Sequence, residues 1–235
     1  MEATHEEFHL PSTTAKLNWL RASVLGANDG IVSIAGLVVG VASATNNSAI
    51  IVTTGIAGII AGAISMAAGE YVSVSSSRDT EKALIKKERR ELEENPEAEL
   101  KELAMIYEKK GLSKHTAMLV AEELTRKDPI AAHLDAELNI NPDDLTNPWH
   151  AAIASAVSFF IGALIPMIAI IISPLSLRLP LTFTSVIIAL LITGYVSAKI
   201  GGAHISQAII RVVIGGIFAM TVTYFVGKLF GVSVL

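Results

Sequence analysis

The chain alternates between long apolar stretches and a single polar segment. Five stretches have the length of a membrane-spanning helix, which needs about 20 mostly apolar residues; they are residues 20–44, 49–74, 149–172, 181–200 and 205–230. A cleavable signal peptide has an apolar core of only about 7–15 residues, so even the first stretch is too long to be one. The pattern therefore predicts an all-α integral membrane protein with five transmembrane helices.

The polar segment lies between the second and third apolar stretches. Residues 78–144 hold 12 of the 18 basic residues and 17 of the 22 acidic residues. Asn95 and Asp128 each stand directly before a proline, a pattern that starts a helix, and Ser113 can cap another helix. The segment therefore predicts a helical insert of three or four helices.

These patterns divide the chain into four parts. Residues 1–19 form an N-terminal segment, residues 20–75 the first two transmembrane helices, residues 76–147 the insert, and residues 148–235 the last three transmembrane helices. Lysine and arginine favour the cytoplasmic side of a membrane. One side of the predicted topology carries the insert together with Lys16, Arg21, Lys199 and Arg211, whereas the other carries only Arg178 and Lys228. The insert is therefore expected to be cytoplasmic and the N-terminal segment cytoplasmic or interfacial.

Composition excludes several classes of function. Of the 235 residues, 51% are hydrophobic and 17% charged, and the net charge is −4. Binding to nucleic acid requires a concentrated basic face, which an acidic insert does not supply. Cysteine is absent, so disulfides and thiolate metal sites are excluded. The expected partners are instead metal ions, protons and the lipid bilayer.

Glycines recur at intervals of four in the first two apolar stretches, as at Gly26 and Gly30 and again at Gly58 and Gly62. This spacing places small residues on one helix face and allows close helix contacts in lipid. We expect such contacts either within the chain or across a dimer.

Two carboxylates lie within the apolar stretches. Asp29 is nine residues into the first stretch, and Glu70 is near the end of the second, with Met66 one turn before it on the same face. An ionised carboxylate at bilayer depth costs about 2.5–3.5 kcal/mol even on lenient scales, so it normally faces a cavity, a partner or an ion. No basic residue is expected at matching depth unless Lys199 or Arg211 reaches inward. We therefore favour a cation as the partner.

Each of these three side chains also has a simpler explanation. Asp29 can hydrogen-bond a neighbouring helix, Glu70 can reach the lipid headgroups, and Met66 can fill a gap in the packing. Oxygen ligands together with a thioether suit iron(II) or manganese(II) better than magnesium or calcium. Taken together, the three residues indicate a transition-metal site.

Three pairs of potential metal ligands recur in the insert. The members of each pair are three or four residues apart, which places both on one helix face; the pairs are Glu88 and Glu91, Glu99 and Glu102, and His133 and Glu137. Pairs on three helices can converge on metal ions, as carboxylates and imidazoles do inside helical bundles. Any single pair is more simply explained as a solvated charged face.

A short motif at the N-terminus matches a protease signature. The run from His5 to His9 follows the H-E-x-x-H pattern of zinc proteases. It lies ahead of Pro11, without an apolar face to bury it and without an evident third ligand. We interpret it as an interfacial helix or a loose tail and expect no enzymatic activity.

Two longer motifs resemble the vacuolar iron transporter family. Residues 21–33, RASVLGANDGIVS, resemble the first spanning helix of that family, and residues 65–73, SMAAGEYVS, resemble the second. Five spans with a polar helical insert after the second match the same architecture. The resemblance therefore covers nearly the whole chain.

The resemblance implies a homodimeric, proton-coupled antiporter that exports iron(II), and also manganese(II), from the cytosol. It places Asp29 and Met66 on the translocation path. It assigns residues 76–147 as a cytoplasmic metal-binding domain, in which five glutamates match the family: Glu88, Glu91, Glu99, Glu102 and Glu137.

The chain departs from the family at His133, where methionine can occur. Imidazole is a better ligand than a thioether for zinc, copper or nickel, so the metal preference is open at this position. No cofactor is expected beyond the transported ions, which are iron(II), manganese(II) or zinc(II). A short chain without a targeting extension resembles the bacterial members, which predicts the plasma membrane rather than a vacuole.

The resulting hypothesis is that the insert captures metal and passes it to Asp29, Met66 and Glu70. Protons would compete with the metal, because burial raises the pKa of a carboxylate and a bound cation lowers it. One alternative is a membrane-anchored, iron-oxidising or metal-storing protein with a di-iron insert, although the insert lacks the usual Glu-x-x-His pattern. The other is a sensor or scaffold that does not transport.

Overall fold

A computed structural model describes the backbone of residues 13–141 and 146–233 and the side chains of residues 19–141 and 146–231. Within those ranges the chain is helical and contains no strand. The helices are α1 (Thr13–Ala44), α2 (Ser48–Glu94), α3 (Pro96–Lys109), α4 (Lys114–Lys127), α5 (Pro129–His133), α6 (Pro148–Ile172), α7 (Arg178–Gly201) and α8 (Ile205–Ser233). A π-helical turn, Leu134–Leu138, continues α5.

Five of these helices are long and apolar enough to cross a membrane, as predicted. The spans are Trp19–Ala44 within α1, α2, α6, α7 and Ile205–Gly231 within α8. The predicted second span ends at residue 74, but the helix that contains it does not end there, because α2 continues without interruption through the polar sequence to Glu94. At 1.5 Å per residue α2 is about 70 Å long, roughly twice the thickness of a hydrocarbon layer. Its polar part, from residue 78 onward, therefore lies outside such a layer.

The helices fall into two compact units. Among the described residues, one unit comprises 16–72 and 148–233, and the other comprises 13–15, 73–141 and 146–147. We refer to them as the membrane unit and the insert unit. Helix α2 contributes residues to both.

Close backbone packing holds α1 and α6 together in the membrane unit. A side chain added at Gly26 would strike the backbone of Ser155, and one added at Gly30 would strike the backbone of Phe159. Gly162 of α6 approaches the Ala27 carbonyl group in the same way. The four-residue glycine spacing therefore corresponds to contacts within the chain, where the absence of Cβ atoms lets two helices approach closely.

The insert unit has a small apolar core, formed by Leu103 and Ala104 of α3 and Ala121 of α4, with Ala132 of α5. These side chains lie on one face of each helix and leave the charged faces in solvent. The core fixes the positions of α3, α4 and α5 relative to one another.

The predicted helix starts differ in how they are capped. The side chain of Ser113 accepts a hydrogen bond from the Thr116 amide, and that of Asp128 accepts one from the Ala131 amide, as expected of N-caps. Asn95 makes no such side-chain bond. Its carbonyl oxygen instead accepts from the backbone amides at the start of α3, so proline alone marks this helix start.

Candidate metal centre and membrane carboxylates

Three side chains from three helices converge in the insert unit. Glu88 lies on the polar part of α2, Glu99 in the first turn of α3, and His133 at the last position of α5. The His133 Nδ1 atom is 3.0 Å from Glu88 Oε1 and 3.8 Å from Glu99 Oε2. One potential ligand atom from each residue lies within 4.8 Å of the others. We call these residues the Glu88–Glu99–His133 cluster.

The cluster is buried, and its polar atoms are not satisfied by the protein. His133 is 0% exposed, Glu88 3% and Glu99 9%. Neither ring nitrogen of His133 has a hydrogen-bond partner, and neither does Glu88 Oε1, because the short Nδ1–Oε1 contact lacks hydrogen-bond alignment. A buried polar atom without a partner destabilises a protein by about 1–3 kcal/mol. Nitrogen and oxygen lone pairs that face one another fit a divalent cation, which takes imidazole and carboxylate ligands.

Three further glutamates surround the cluster. Glu91 is half-buried and pairs with Lys87 at 2.9 Å, whereas Glu102 and Glu137 are exposed. They act on the cluster electrostatically: Glu137 and Glu91 raise the pKa of Glu88, and Glu102 raises that of Glu99. All six residues predicted in the insert are therefore coupled, but only the three of the cluster bring ligand atoms together.

Burial is the main cause of the pKa shifts in the insert. It raises the pKa of Glu88 to about 7, with additional contributions from Glu137 and Glu99. It also raises the pKa values of Glu99 and Glu137 and lowers that of His133. The carboxylates therefore tend to keep their protons and the imidazole tends to be neutral. A bound cation would favour the ionised form of the carboxylates, and it requires the imidazole to be neutral.

Local sequence explains how each ligand reaches the cluster. Glu99 lies one turn before Leu103, so it shares the face that carries the core of the insert unit. The Asp128 cap and Pro129 start α5 and place His133 at its end. Beyond His133 the helix widens into the π-helical turn, which ends at Asn139 in the left-handed conformation, with φ of 51°. Such widened turns are frequent at functional sites.

The membrane unit holds Asp29, Met66 and Glu70 in three different environments. Asp29 is half-buried and accepts a hydrogen bond from the Ser33 hydroxyl group, one turn later on α1. Met66 is half-buried against the core formed by α1, α2 and α6. Glu70 is 7% exposed. Neither carboxylate belongs to a group of three or more potential His, Asp or Glu ligands within the described residues.

The expectation that no basic side chain reaches the membrane carboxylates is wrong for Glu70. The Arg21 Nη2 atom lies 3.0 Å from Glu70 Oε1 and donates a hydrogen bond to it. Arg21 stands two turns before Asp29 on α1, and its long side chain spans the remaining distance, as arginine often does. The guanidinium group occupies the place at Glu70 where a cation was expected.

The protease-like motif from His5 to His9 lies outside the described residues.

Two residues near the predicted sites were missed by sequence reasoning, Arg21 and Ser33. The four-residue spacing of Asp29 and Ser33 was a usable signal, because it places both side chains on one face of α1. The reach of Arg21 had no comparable signal.

Comparisons with known proteins give one consistent result. A model of the VIT family matches residues 20–228. The vacuolar iron transporter of Acanthamoeba castellanii is 41% identical over 219 residues, which cover 93% of this chain and 81% of that relative. Vacuolar iron transporter homolog 2.1 of Arabidopsis thaliana is 35% identical, covering 92% of this chain and 83% of the relative. Vacuolar iron transporter homolog 1 of Oryza sativa subsp. japonica is 34% identical, covering 92% and 76%.

Proposed function

The chain belongs to the VIT family, and on that premise we propose that it transports divalent transition-metal ions across a membrane, chiefly iron(II) and also manganese(II). Five membrane-spanning helices support a transporter. The observation that carries the proposal is the buried Glu88–Glu99–His133 cluster, whose unsatisfied nitrogen and oxygen atoms suit a cation of this class. The names of the relatives support iron as the cargo.

The proposed role of the insert unit is to collect metal in the cytosol. The cluster would supply the ligands, and the outer carboxylates Glu91, Glu102 and Glu137 would attract cations toward it. Imidazole at His133 also admits zinc(II), which is a stronger competitor at a nitrogen ligand than manganese(II). No cofactor other than the transported ion is required by this scheme.

The proposed path through the membrane uses Asp29, Met66 and Glu70. Ser33 is exposed and Asp29 only half-buried, so this hydrogen-bonded pair is partly open at the surface of the membrane unit. A polar face of this kind is costly against lipid. We infer that a second copy of the chain covers it, so that the path lies in a homodimer. At Glu70 the arriving ion would displace the Arg21 guanidinium group.

Proton coupling and export complete the proposal. Metal and protons compete for the same carboxylate oxygens, so a ligand that releases metal can take up a proton in exchange. Such exchange drives antiport when the proton concentration is higher on the side of the membrane opposite the cytosol. The insert is proposed to be cytoplasmic from the positive-inside pattern. The plasma membrane location stays a prediction.

Uptake of iron(II) and manganese(II) into proteoliposomes, with and without a pH gradient, tests this function. The Asp29→Asn variant keeps the shape of the side chain and removes its charge, and we expect transport to fall to the background of empty liposomes. The matched control is Asp79→Asn, which makes the same change at an exposed position of α2 outside the proposed path. Full transport by Asp29→Asn, in a variant that purifies as a folded protein, would remove Asp29 from the path.

An iron-oxidising or metal-storing protein is the second candidate. The cluster favours this candidate because a Glu–Glu–His ligand set also suits an iron ion that stays bound to the protein. Oxygen consumption after addition of iron(II), together with an absence of flux in proteoliposomes, would support this candidate and refute the first. A sensor or scaffold would show neither oxygen consumption nor flux.

A further inference from the structure

A cavity lies between α1, α7 and α8 in the membrane unit. Its volume is about 480 Å³, which lies within the range of ligand pockets in proteins. Its charged lining residues are Arg21 and Arg211, and its uncharged polar ones are Asn28, Thr193 and Ser197. The rest of the lining is apolar or glycine, so the cavity joins a cationic part to an apolar part.

The positive charge of this cavity is only partly balanced by the protein. No carboxylate belongs to the described lining. Arg21 is shared with Glu70, which lies outside the lining, and Arg211 forms no ion pair within the described part of the chain. Asn28 contributes a buried Oδ1 atom that lacks a hydrogen-bond partner. The cavity therefore offers an anion the Arg211 guanidinium group together with the Arg21 group that also contacts Glu70, and it offers the Asn28 oxygen to a hydrogen-bond donor.

We propose that this cavity binds the headgroup of an anionic phospholipid, with the phosphate between Arg21 and Arg211. Guanidinium groups bind phosphate through paired, charge-assisted hydrogen bonds, and basic pockets between spanning helices bind phospholipid headgroups. A headgroup that carries hydroxyl groups also supplies a donor for Asn28. The apolar lining fits the glycerol backbone and upper acyl chain of a lipid and offers nothing to a free phosphate ion. A metal ion is excluded as the occupant by the two like charges.

The position of Arg21 links the cavity to the proposed path. One guanidinium group faces both Glu70 and the cavity, so a phosphate that binds it weakens its hold on Glu70. An anionic lipid therefore makes Glu70 more available to a metal ion. This consequence rests on the proposed function, whereas lipid binding does not.

Binding is tested on the purified full-length protein in a neutral detergent. Native mass spectrometry counts lipids retained after addition of phosphatidylglycerol, phosphatidylcholine or inorganic phosphate, and the thermal unfolding midpoint is followed in parallel, since a ligand of the folded state raises it. We expect phosphatidylglycerol to be retained and to raise the midpoint, and the other two to do neither. Equal retention of both lipids overturns the proposal, and so does equal stabilisation by inorganic phosphate.

Two variants separate the cavity from the remaining lipid-facing surface. Arg211→Gln removes one cation of the cavity, and its control Lys199→Gln removes a cation on α7 that does not line the cavity. Gly201→Phe places a bulky ring at a lining position where an added Cβ atom meets nothing within 4 Å. Its control, Gly215→Phe, makes the same change at an equally open position outside the lining. We expect Arg211→Gln to bind phosphatidylglycerol about tenfold or more weakly, as for a lost charge-assisted contact, and Gly201→Phe to weaken binding by occupying space that the lipid needs. Wild-type affinity in both cavity variants overturns the proposal.

Transport provides the second arm of the test. In proteoliposomes we expect manganese(II) uptake to be faster with phosphatidylglycerol than with phosphatidylcholine alone, and Arg211→Gln to lose this difference. Uptake that is absent in every lipid refutes the proposed function and leaves lipid binding intact. Uptake that is equal in both lipids, with binding confirmed, refutes only the link to Glu70.

Discussion

Replacement of Glu88 by glutamine tests the metal centre most directly, because it removes one charge and keeps the shape of the side chain. Glu88 is 3% exposed, and burial, followed by Glu137 and Glu99, raises its pKa from 4.5 to about 7. The folded state therefore holds the proton more tightly than the unfolded state. Stability is lost as the pH rises from about 4.5 to about 7, and at 1.36 kcal/mol per pKa unit the loss approaches about 3 kcal/mol.

Glutamine does not ionise, so it does not incur this loss. We expect metal-free Glu88→Gln to unfold at a higher temperature than the wild type at pH 8, and most of the difference to disappear near pH 5. The same change removes one ligand of the cluster and should weaken manganese(II) binding about 100-fold or more. A variant that is more stable and yet binds less metal is the expected signature of a site that sacrifices stability for function.

The assay combines thermal unfolding at the two pH values with calorimetric titration of manganese(II). The control is Glu93→Gln, an exposed glutamate on the same helix, which should change neither stability nor metal affinity. The reasoning is refuted if Glu88→Gln lowers the unfolding temperature of the metal-free protein at pH 8. It is equally refuted if the variant binds manganese(II) with wild-type affinity.

Three further predictions follow from the same contacts. Metal binding by the wild type should weaken as the pH falls below about 7, because Glu88 is protonated there. Metal titrations at pH 8 and pH 6 measure the change in affinity, and equal affinities would contradict the prediction. Arg21→Gln should lower the thermal unfolding midpoint, because it leaves Glu70 buried without its partner. Arg21→Lys keeps the charge and should lower the midpoint less. An unchanged midpoint in both variants would show that the ion pair does not contribute to stability. Gly30→Leu should destabilise the protein by about 1–3 kcal/mol or prevent folding, because α6 backbone atoms occupy the space of the added side chain. At its control position, Gly69, an added Cβ atom meets nothing within 4 Å, so Gly69→Leu should be tolerated in the same unfolding assay.

The helical architecture could be predicted from the sequence because it depends on local properties. Hydropathy over about 20 residues predicts a spanning helix regardless of its neighbours. The five predicted spans are confirmed, and four of the five helices end close to the predicted limits, whereas α2 continues to Glu94. The caps at Ser113 and Asp128 involve amides three residues away, so they too could be predicted. Hydropathy did not predict where α2 ends, since a change from apolar to polar sequence ends a membrane span without ending a helix.

Unusual side chains can be recognised from the order of residues alone: carboxylates within apolar spans, and glutamates and a histidine at helical spacing in the insert. Which of them meet depends on how the helices pack. Spacing along one helix reports a shared face, whereas convergence of Glu88, Glu99 and His133 requires three helices packed around a common core. The Arg21–Glu70 pair depends in the same way on the packing of α1 and α2 and on the reach of one flexible side chain. Contacts between residues distant in the chain arise from packing, and no local pattern in the sequence encodes them.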